Sequence, residues 1–162
     1  MNPTNLRKSS VGAILVNLCI PVFAAFALSG LAGSALAGPE VRVTFKNLGD
    51  ESATYSPHEG NEFITRTNSS PSPAEEVPQN GQDSYNVRSQ VSPSVNYAQV
   101  RYVLGNKTCV FLTSFVATPG FAGTKIPKWA HSATPGGGAT CVIRSTGVSL
   151  ADYSWSVEMT MR

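Results

Sequence analysis

The sequence predicts an all-β domain, an antiparallel two-sheet sandwich of about seven or eight strands that contains one disulfide. Three observations indicate this class. Apolar and polar residues alternate with a period of two in several short segments, turn residues separate those segments, and the chain after its leader shows no convincing helical period. An immunoglobulin-like topology fits this pattern, and a small barrel fits it as well.

The first segment of the chain is typical of an export signal. Arg7 and Lys8 give it a positively charged start, and residues 11–32 carry no charge. Ala35-Leu36-Ala37 then supplies the small residues that signal peptidase accepts. We therefore predict a cleaved signal peptide at residues 1–37.

The remaining chain, residues 38–162, is long enough to form one hydrophobic core, and we predict a single β-sandwich domain there. A retained membrane anchor is the alternative, since the apolar run approaches the ~20 residues that a bilayer needs. Pro21 and the cleavage pattern favour removal. The expected location is secreted or periplasmic, with no stable membrane insertion after cleavage.

The charge balance of the mature chain argues against nucleic-acid binding. The full chain has 12 Lys and Arg against 10 Asp and Glu, a net charge of +2. Because Arg7 and Lys8 lie in the leader, the mature chain is formally neutral. Nucleic-acid recognition needs a clustered excess of Lys and Arg, so we expect no nucleic-acid partner.

Two cysteines remain once the leader with Cys19 is removed. Cys109 and Cys141 would meet an oxidising compartment after export, where two thiols most simply pair. A redox or metal pair is the alternative, but the wide spacing and the absence of a CxxC motif speak against it. We therefore predict a Cys109–Cys141 disulfide.

The first third of the mature chain reads as short strands and one long loop. Residues 41–45 alternate between apolar and polar side chains, and the turn residues 47–50 end that strand. Further extended segments are predicted at 53–55 and 63–67. Residues 68–84 are so rich in Pro, Ser, Gly and charge that we expect an exposed loop.

The middle of the chain contains the most apolar strands. We predict strands at 85–88, 96–105 and 107–118, the last two joined by a tight hairpin at Gly105-Asn106. Both alternate faces of 107–118 are apolar, which predicts a central strand covered on both sides, or at least on one side and by a loop.

The last third begins with a second predicted loop, residues 118–139, in which Pro and Gly recur. A strand is expected to resume at 141–144. Residues 152–162 form the clearest strand pattern of the chain, with one face buried and the other in water. The buried face would consist of Tyr153, Trp155, Val157, Met159 and Met161.

The sequence offers little that would support catalysis. The mature chain has only His58 and His131 as imidazoles and no GxSxG context. Glu75 and Glu76 are adjacent, so on an extended chain their carboxylates point in opposite directions. We expect a protein that is not an enzyme and that has no cofactor.

A copper site is a further alternative. His58, His131, Met159 and Met161 are residue types that bind copper, and exported proteins often handle this metal. The competing interpretation places both methionines in the core, on the buried face of the last strand, and both histidines on the surface.

The best candidate for a binding surface is the predicted loop 118–139. Aromatic area beside adaptable polar groups is what recognition loops carry. The tentative binding residues there are Phe121, Lys125, Lys128, Trp129 and His131. Trp129 could instead fold back and cover one end of the sandwich.

These features predict a non-catalytic domain that recognises a protein partner through its two long loops, 68–84 and 118–139. A carbohydrate-binding module is the alternative. It would require Tyr55 and Trp129 to form a coplanar, exposed pair of rings.

Overall fold

A computed structural model describes residues 37–162. The predicted signal peptide, apart from Ala37, lies outside the described residues. Within 37–162, no helix combines the length and the apolar character that crossing a bilayer requires.

In this part of the chain, ten strands form two five-stranded sheets. The first sheet contains, in spatial order, β3 (Ser69–Ser70), β5 (Gln82–Val87), β1 (Val41–Asn47), β10 (Trp155–Met161) and β9 (Cys141–Val148). The second contains β4 (Glu76–Val77), β2 (Ala53–Tyr55), β6 (Val95–Leu104), β7 (Lys107–Pro119) and β8 (Lys125–Gly136).

The two sheets confirm the predicted all-β sandwich. Neighbouring strands are antiparallel except for β1 and β10, which run parallel with Val41 opposite Trp155. The strand number exceeds the expected seven or eight because β3 and β4 are fragments of two residues each. The immunoglobulin-like variant of the fold stays a prediction.

The core lies between the sheets and follows the alternation seen in the sequence. Val41, Val43 and Phe45 of β1 are fully buried, and every second residue of β10 from Trp155 onward is buried as predicted. Tyr153, also expected on that buried face, precedes the strand and is half-buried. Two polar contacts cross the core. The Trp155 indole N–H donates to Thr113 Oγ1 at 2.8 Å. The hydroxyls of Tyr85 and Tyr102 lie 3.2 Å apart, so these buried polar groups satisfy each other.

The predicted disulfide is present between Cys109 and Cys141. Cys109 lies on β7 and Cys141 begins β9, so the bond joins strands of different sheets. It also closes a loop that contains the whole of β8.

A helix replaces one predicted strand. Residues 63–67 belong to α1 (Gly60–Thr67), so the expectation of a strand there is wrong. The helix begins with a capping box, in which the Glu62 carboxylate accepts the Glu59 backbone N–H at 3.2 Å. It covers the edge of β6 that the three-residue β2 leaves open, since the Gln99 N–H donates to Thr65 Oγ1 at 2.9 Å.

The predicted loop 68–84 is only partly a loop. It contains β3 and β4 and the start of β5, and Val77 is buried. The Asp83 carboxylate accepts the Ala74 N–H at 2.8 Å, which holds the segment against the sheet. The turn residues therefore punctuate short strands here and do not form one exposed loop.

The predicted loop 118–139 is mostly strand, so that expectation is wrong. β7 continues to Pro119, and β8 pairs with it over twelve residues from Lys125 to Gly136. β8 is the outermost strand of its sheet. Pro127 and Pro135 are tolerated because an edge strand can direct the nitrogen of a proline away from its single partner.

β7 lies between β6 and β8, so the predicted central position is confirmed, but only its inner face is fully buried. Cys109, Phe111 and Phe115 are buried, whereas Val116 on the opposite face is substantially exposed. The hairpin predicted at Gly105-Asn106 is confirmed, and Gly105 has the positive φ of +55° that this tight turn requires.

Candidate functional site

The candidate site is the end of the β7–β8 hairpin, residues 116–128, called here the hairpin tip. Its turn is ordered by its own hydrogen bonds. The Gly120 N–H donates to the Thr124 carbonyl at 2.7 Å, and the Thr124 N–H and hydroxyl donate to the Phe121 carbonyl at 3.1 and 2.8 Å. Gly123 adopts a φ of +80° at no steric cost, whereas Ala122 beside it also has a positive φ of +52°, which costs energy in a residue with a Cβ.

An apolar side chain projects from this ordered turn. Phe121 is 93% exposed, and Ile126, two residues after Thr124, is 56% exposed. Ile126 lies opposite Thr118, and Val116 lies opposite Lys128 on the same outer face. Exposed apolar area held on a rigid hairpin and bordered by lysines is typical of a surface that a partner covers.

The structure brings most of the tentative binding residues to β8 and its turn. Lys125, Lys128 and His131 are exposed along β8, and Phe121 lies in the turn before it. Ile126 and Val116 were missed by the sequence reasoning. Cross-strand pairing places both on the outer face, and this pairing can be inferred only once 118–139 is recognised as part of a hairpin.

Trp129 differs from the other residues of this group because its ring packs on the domain. Its ring centroid lies 5.5 Å from that of Phe115 and 6.4 Å from that of Tyr153. Its indole N–H donates to the Tyr153 carbonyl at 3.3 Å. These contacts match the alternative interpretation, in which Trp129 covers one end of the sandwich.

The Trp129→Ala variant should therefore lose stability. The half-buried ring contacts two aromatic side chains, and we expect a loss of about 1 to 2 kcal/mol in the free energy of unfolding. Urea unfolding followed by the near-ultraviolet signal measures it. The matched variant Phe121→Ala should stay within about 0.5 kcal/mol of wild type, as expected of a surface residue. Equal losses in both variants would contradict this assignment.

Tyr55 does not meet the condition for a carbohydrate platform. It is 5% exposed, and its ring lies edge-on to Tyr102 in the core at 5.5 Å. Burial raises the pKa of its hydroxyl to about 12. Tyr55 and Trp129 also lie on strands separated by β6 and β7. They therefore form no exposed pair of rings.

The four residues considered for copper are not brought together. Met159 and Met161 are fully buried on the inner face of β10, whereas His58 and His131 are exposed, one before α1 and the other on β8. Across residues 37–162, no group of three or more His, Cys, Asp or Glu is placed to hold a metal ion.

A buried ion pair lies beneath α1 that the sequence reasoning did not find. Glu62 is fully buried, and its Oε1 lies 3.0 Å from the Arg101 guanidinium of β6. Burial raises the pKa of the Glu62 carboxyl, but hydrogen bonds from Arg101 and from the His58 and Glu59 backbone N–H groups outweigh it and leave the pKa below its usual value. The pair fixes the helix to the sheet. The spacing of Glu59 and Glu62 is a sequence signal for the start of the helix, but it does not indicate the pairing of Glu62 with Arg101.

No protein-family model matches this chain, and the comparison with curated proteins finds no matching sequence.

Proposed function

We propose that this protein is a secreted or periplasmic, non-catalytic module that binds a protein partner through the hairpin tip. The observation that carries the proposal is the exposure of Phe121 on an ordered turn. A disordered loop would pay a large entropic cost on binding, whereas a turn with fixed hydrogen bonds presents its aromatic anchor at little cost. Large aromatic side chains in such positions often dominate binding energy.

The disulfide and the leader pattern support export. A bond between Cys109 and Cys141 persists in an oxidising compartment, and the sequence before residue 38 has the features of a signal peptide. The proposed location is therefore outside the cytoplasm.

One cavity on the surface offers no converging acid and base. A cavity of about 270 Å³ lies on the outer face of the first sheet. Its only carboxylate side chain is Glu158, which forms an ion pair with Lys46 at 2.6 Å. A single, already paired carboxylate does not provide the converging acid and base that hydrolysis needs.

The test compares two exposed phenylalanines. Phe121→Ala removes the proposed anchor. Phe63→Ala is the matched control, because Phe63 is a 51% exposed side chain of the same size on α1. We expect wild type and Phe63→Ala to capture the same partner proteins from envelope extract in equal amounts. Phe121→Ala should capture about thirtyfold less of them, which corresponds to the loss of an anchor that contributes about 2 kcal/mol to binding. Quantitative mass spectrometry of the captured proteins measures this.

Two results would contradict the proposal. Equal capture by Phe121→Ala and wild type would remove the hairpin tip from the interface. Retention on a glycan array by wild type, with no protein captured, would favour the carbohydrate-binding alternative.

A further inference from the structure

The outer edge of β8 is the longest regular edge of the sandwich. On the opposite side, the sheets end in β3 and β4, which are two residues long and offer almost no backbone to pair with. β9 is the other long edge, but the register of its pairing shifts between Ser156 and Val157. Such a bulge bends the strand and interrupts its edge. β8 pairs with β7 over its full length without a shift.

The hydrogen bonds around β6 and β7 show which backbone groups of β8 point outward. The Gln99 N–H and the Arg101 carbonyl of β6 bond away from β7. Even-numbered residues of β6 therefore bond with odd-numbered residues of β7, as the Ala117 N–H bond to the Ser94 carbonyl confirms. Even-numbered residues of β7 then bond with even-numbered residues of β8. The odd-numbered residues of β8 are left facing outward.

Two prolines mark the limits of this free edge. Pro127 and Pro135 are both odd-numbered and have no N–H to offer, in keeping with their outward direction. Between them, Trp129, His131 and Ala133 each present an N–H and a carbonyl. In the described chain, β8 pairs with β7 alone. The side chains around the centre, from Ala130 to Ser132, are exposed, so a strand can approach.

The charges around the free edge of β8 favour an acidic segment as the added strand. Residues 84–151 contain no Asp or Glu, although they contain six Lys and Arg. Lys125 and Lys128 of β8 are exposed, and neither forms an ion pair within residues 37–162. A second copy of the chain would bring the same cations to both sides of the interface. An acidic strand would neutralise them.

We propose that an extended acidic segment of a partner protein adds to the second sheet as a sixth strand, pairing with β8 between Pro127 and Pro135. Main-chain hydrogen bonds to Trp129, His131 and Ala133 supply the affinity, and Lys125 and Lys128 supply the preference for acidic side chains. This inference rests on the proposed function, because it names the partner that the same hairpin would recognise.

The experiment removes one N–H and leaves the rest of the edge in place. His131→Pro deletes the central outward N–H without breaking a hydrogen bond to β7. Pro127 and Pro135 show that β8 tolerates proline at outward-facing positions. His131→Ala deletes the same side chain and keeps the N–H. The probe is a fluorescent ten-residue peptide that alternates Glu with Thr, and its binding to the purified exported protein is followed by anisotropy. We expect the Kd for His131→Pro to be about tenfold weaker than for His131→Ala.

Charge variants provide a second measurement, which tests the proposal even if His131→Pro does not fold. Lys128→Glu should weaken the binding of the Glu-Thr peptide by at least about threefold. Lys107→Glu, at the other end of the hairpin, should leave the Kd within about twofold of the wild-type value. A matched Lys-Thr peptide should bind more weakly than the Glu-Thr peptide, and added salt should reduce the difference.

Several outcomes would overturn the inference. Equal Kd values for His131→Pro and His131→Ala would show that the N–H makes no bond to the peptide. Equal binding of the Lys-Thr peptide would remove the charge preference. A dimer in sedimentation that is lost in His131→Pro would make a second copy the occupant. If partner capture still depends on Phe121 in any of these cases, the proposed function stands without this inference.

Discussion

Replacing Cys109 and Cys141 together with Ala should lower the free energy of unfolding by about 3 to 4 kcal/mol. The two residues are 32 positions apart, and a cross-link over such a loop restricts the unfolded chain by roughly that amount. The loss is a large share of the total stability of a small domain. Urea unfolding of the oxidised wild type and of the double variant measures the difference.

Wild type treated with a reductant is the control for this experiment. Its unfolding midpoint should match that of the double variant, because both lack the same cross-link. In both proteins we also expect β8 to detach from β7 more readily in the native state, because the disulfide joins β7 to the start of β9 and thereby closes the loop that contains β8. A difference below about 1 kcal/mol would show that the chain entropy of this loop is offset elsewhere.

Replacing Glu62 with Gln should cost about 2 to 3 kcal/mol at neutral pH. The change removes the buried charge that Arg101 faces at 3.0 Å, and charge-assisted hydrogen bonds of this kind contribute on the order of 1.5 to 3 kcal/mol each. A double-mutant cycle with Arg101→Met separates the ion pair from the effects of each side chain. Coupling near zero would assign the loss to the helix cap alone.

The pH dependence provides an independent check of the same ion pair. The folded-state pKa of Glu62 lies below its usual value of 4.5, so its contribution to stability is complete above the unfolded pKa. As the pH falls through about 4.5 towards the lower folded pKa, the wild type must lose stability relative to Glu62→Gln. Unfolding midpoints of the two proteins between pH 7 and pH 3 measure it, and parallel curves would contradict the assignment.

The hairpin tip and the β8 edge are neighbouring parts of one surface. Phe121 provides an apolar anchor on a fixed turn, and β8 extends from that turn with three outward N–H groups between prolines. Trp129 connects this surface to the domain, because its ring packs on Phe115 and Tyr153. A partner that contacts the tip would thus meet a strand whose position is fixed by the core.

The strands with the plainest alternation were predictable because their environment is simple. Residues 41–45 and 155–161 each have one face in the core and one outside, and the burial of their side chains matches the period of two. The disulfide was predictable for a different reason: only Cys109 and Cys141 follow the predicted signal peptide, and two cysteines in a chain expected to be exported most simply pair.

Other parts of the chain needed the tertiary structure. Residues 63–67 have the composition of a strand, yet they form a helix because Glu59 and Glu62 cap it and because β6 has an edge for it to cover. Their local preference is weak, and contacts distant in sequence decide it.

Local patterns in the chain were enough to predict the sandwich class, most of the buried face of the last strand and the cysteine pair. The hairpin within 118–139 and the edge position of β8 emerged from the folded chain alone. Proline is excluded from a central strand but not from an edge strand, and the position of a strand in its sheet depends on partners far along the chain. For the same reason Trp129, expected in a loop with two possible roles, is found in the packed end of the domain.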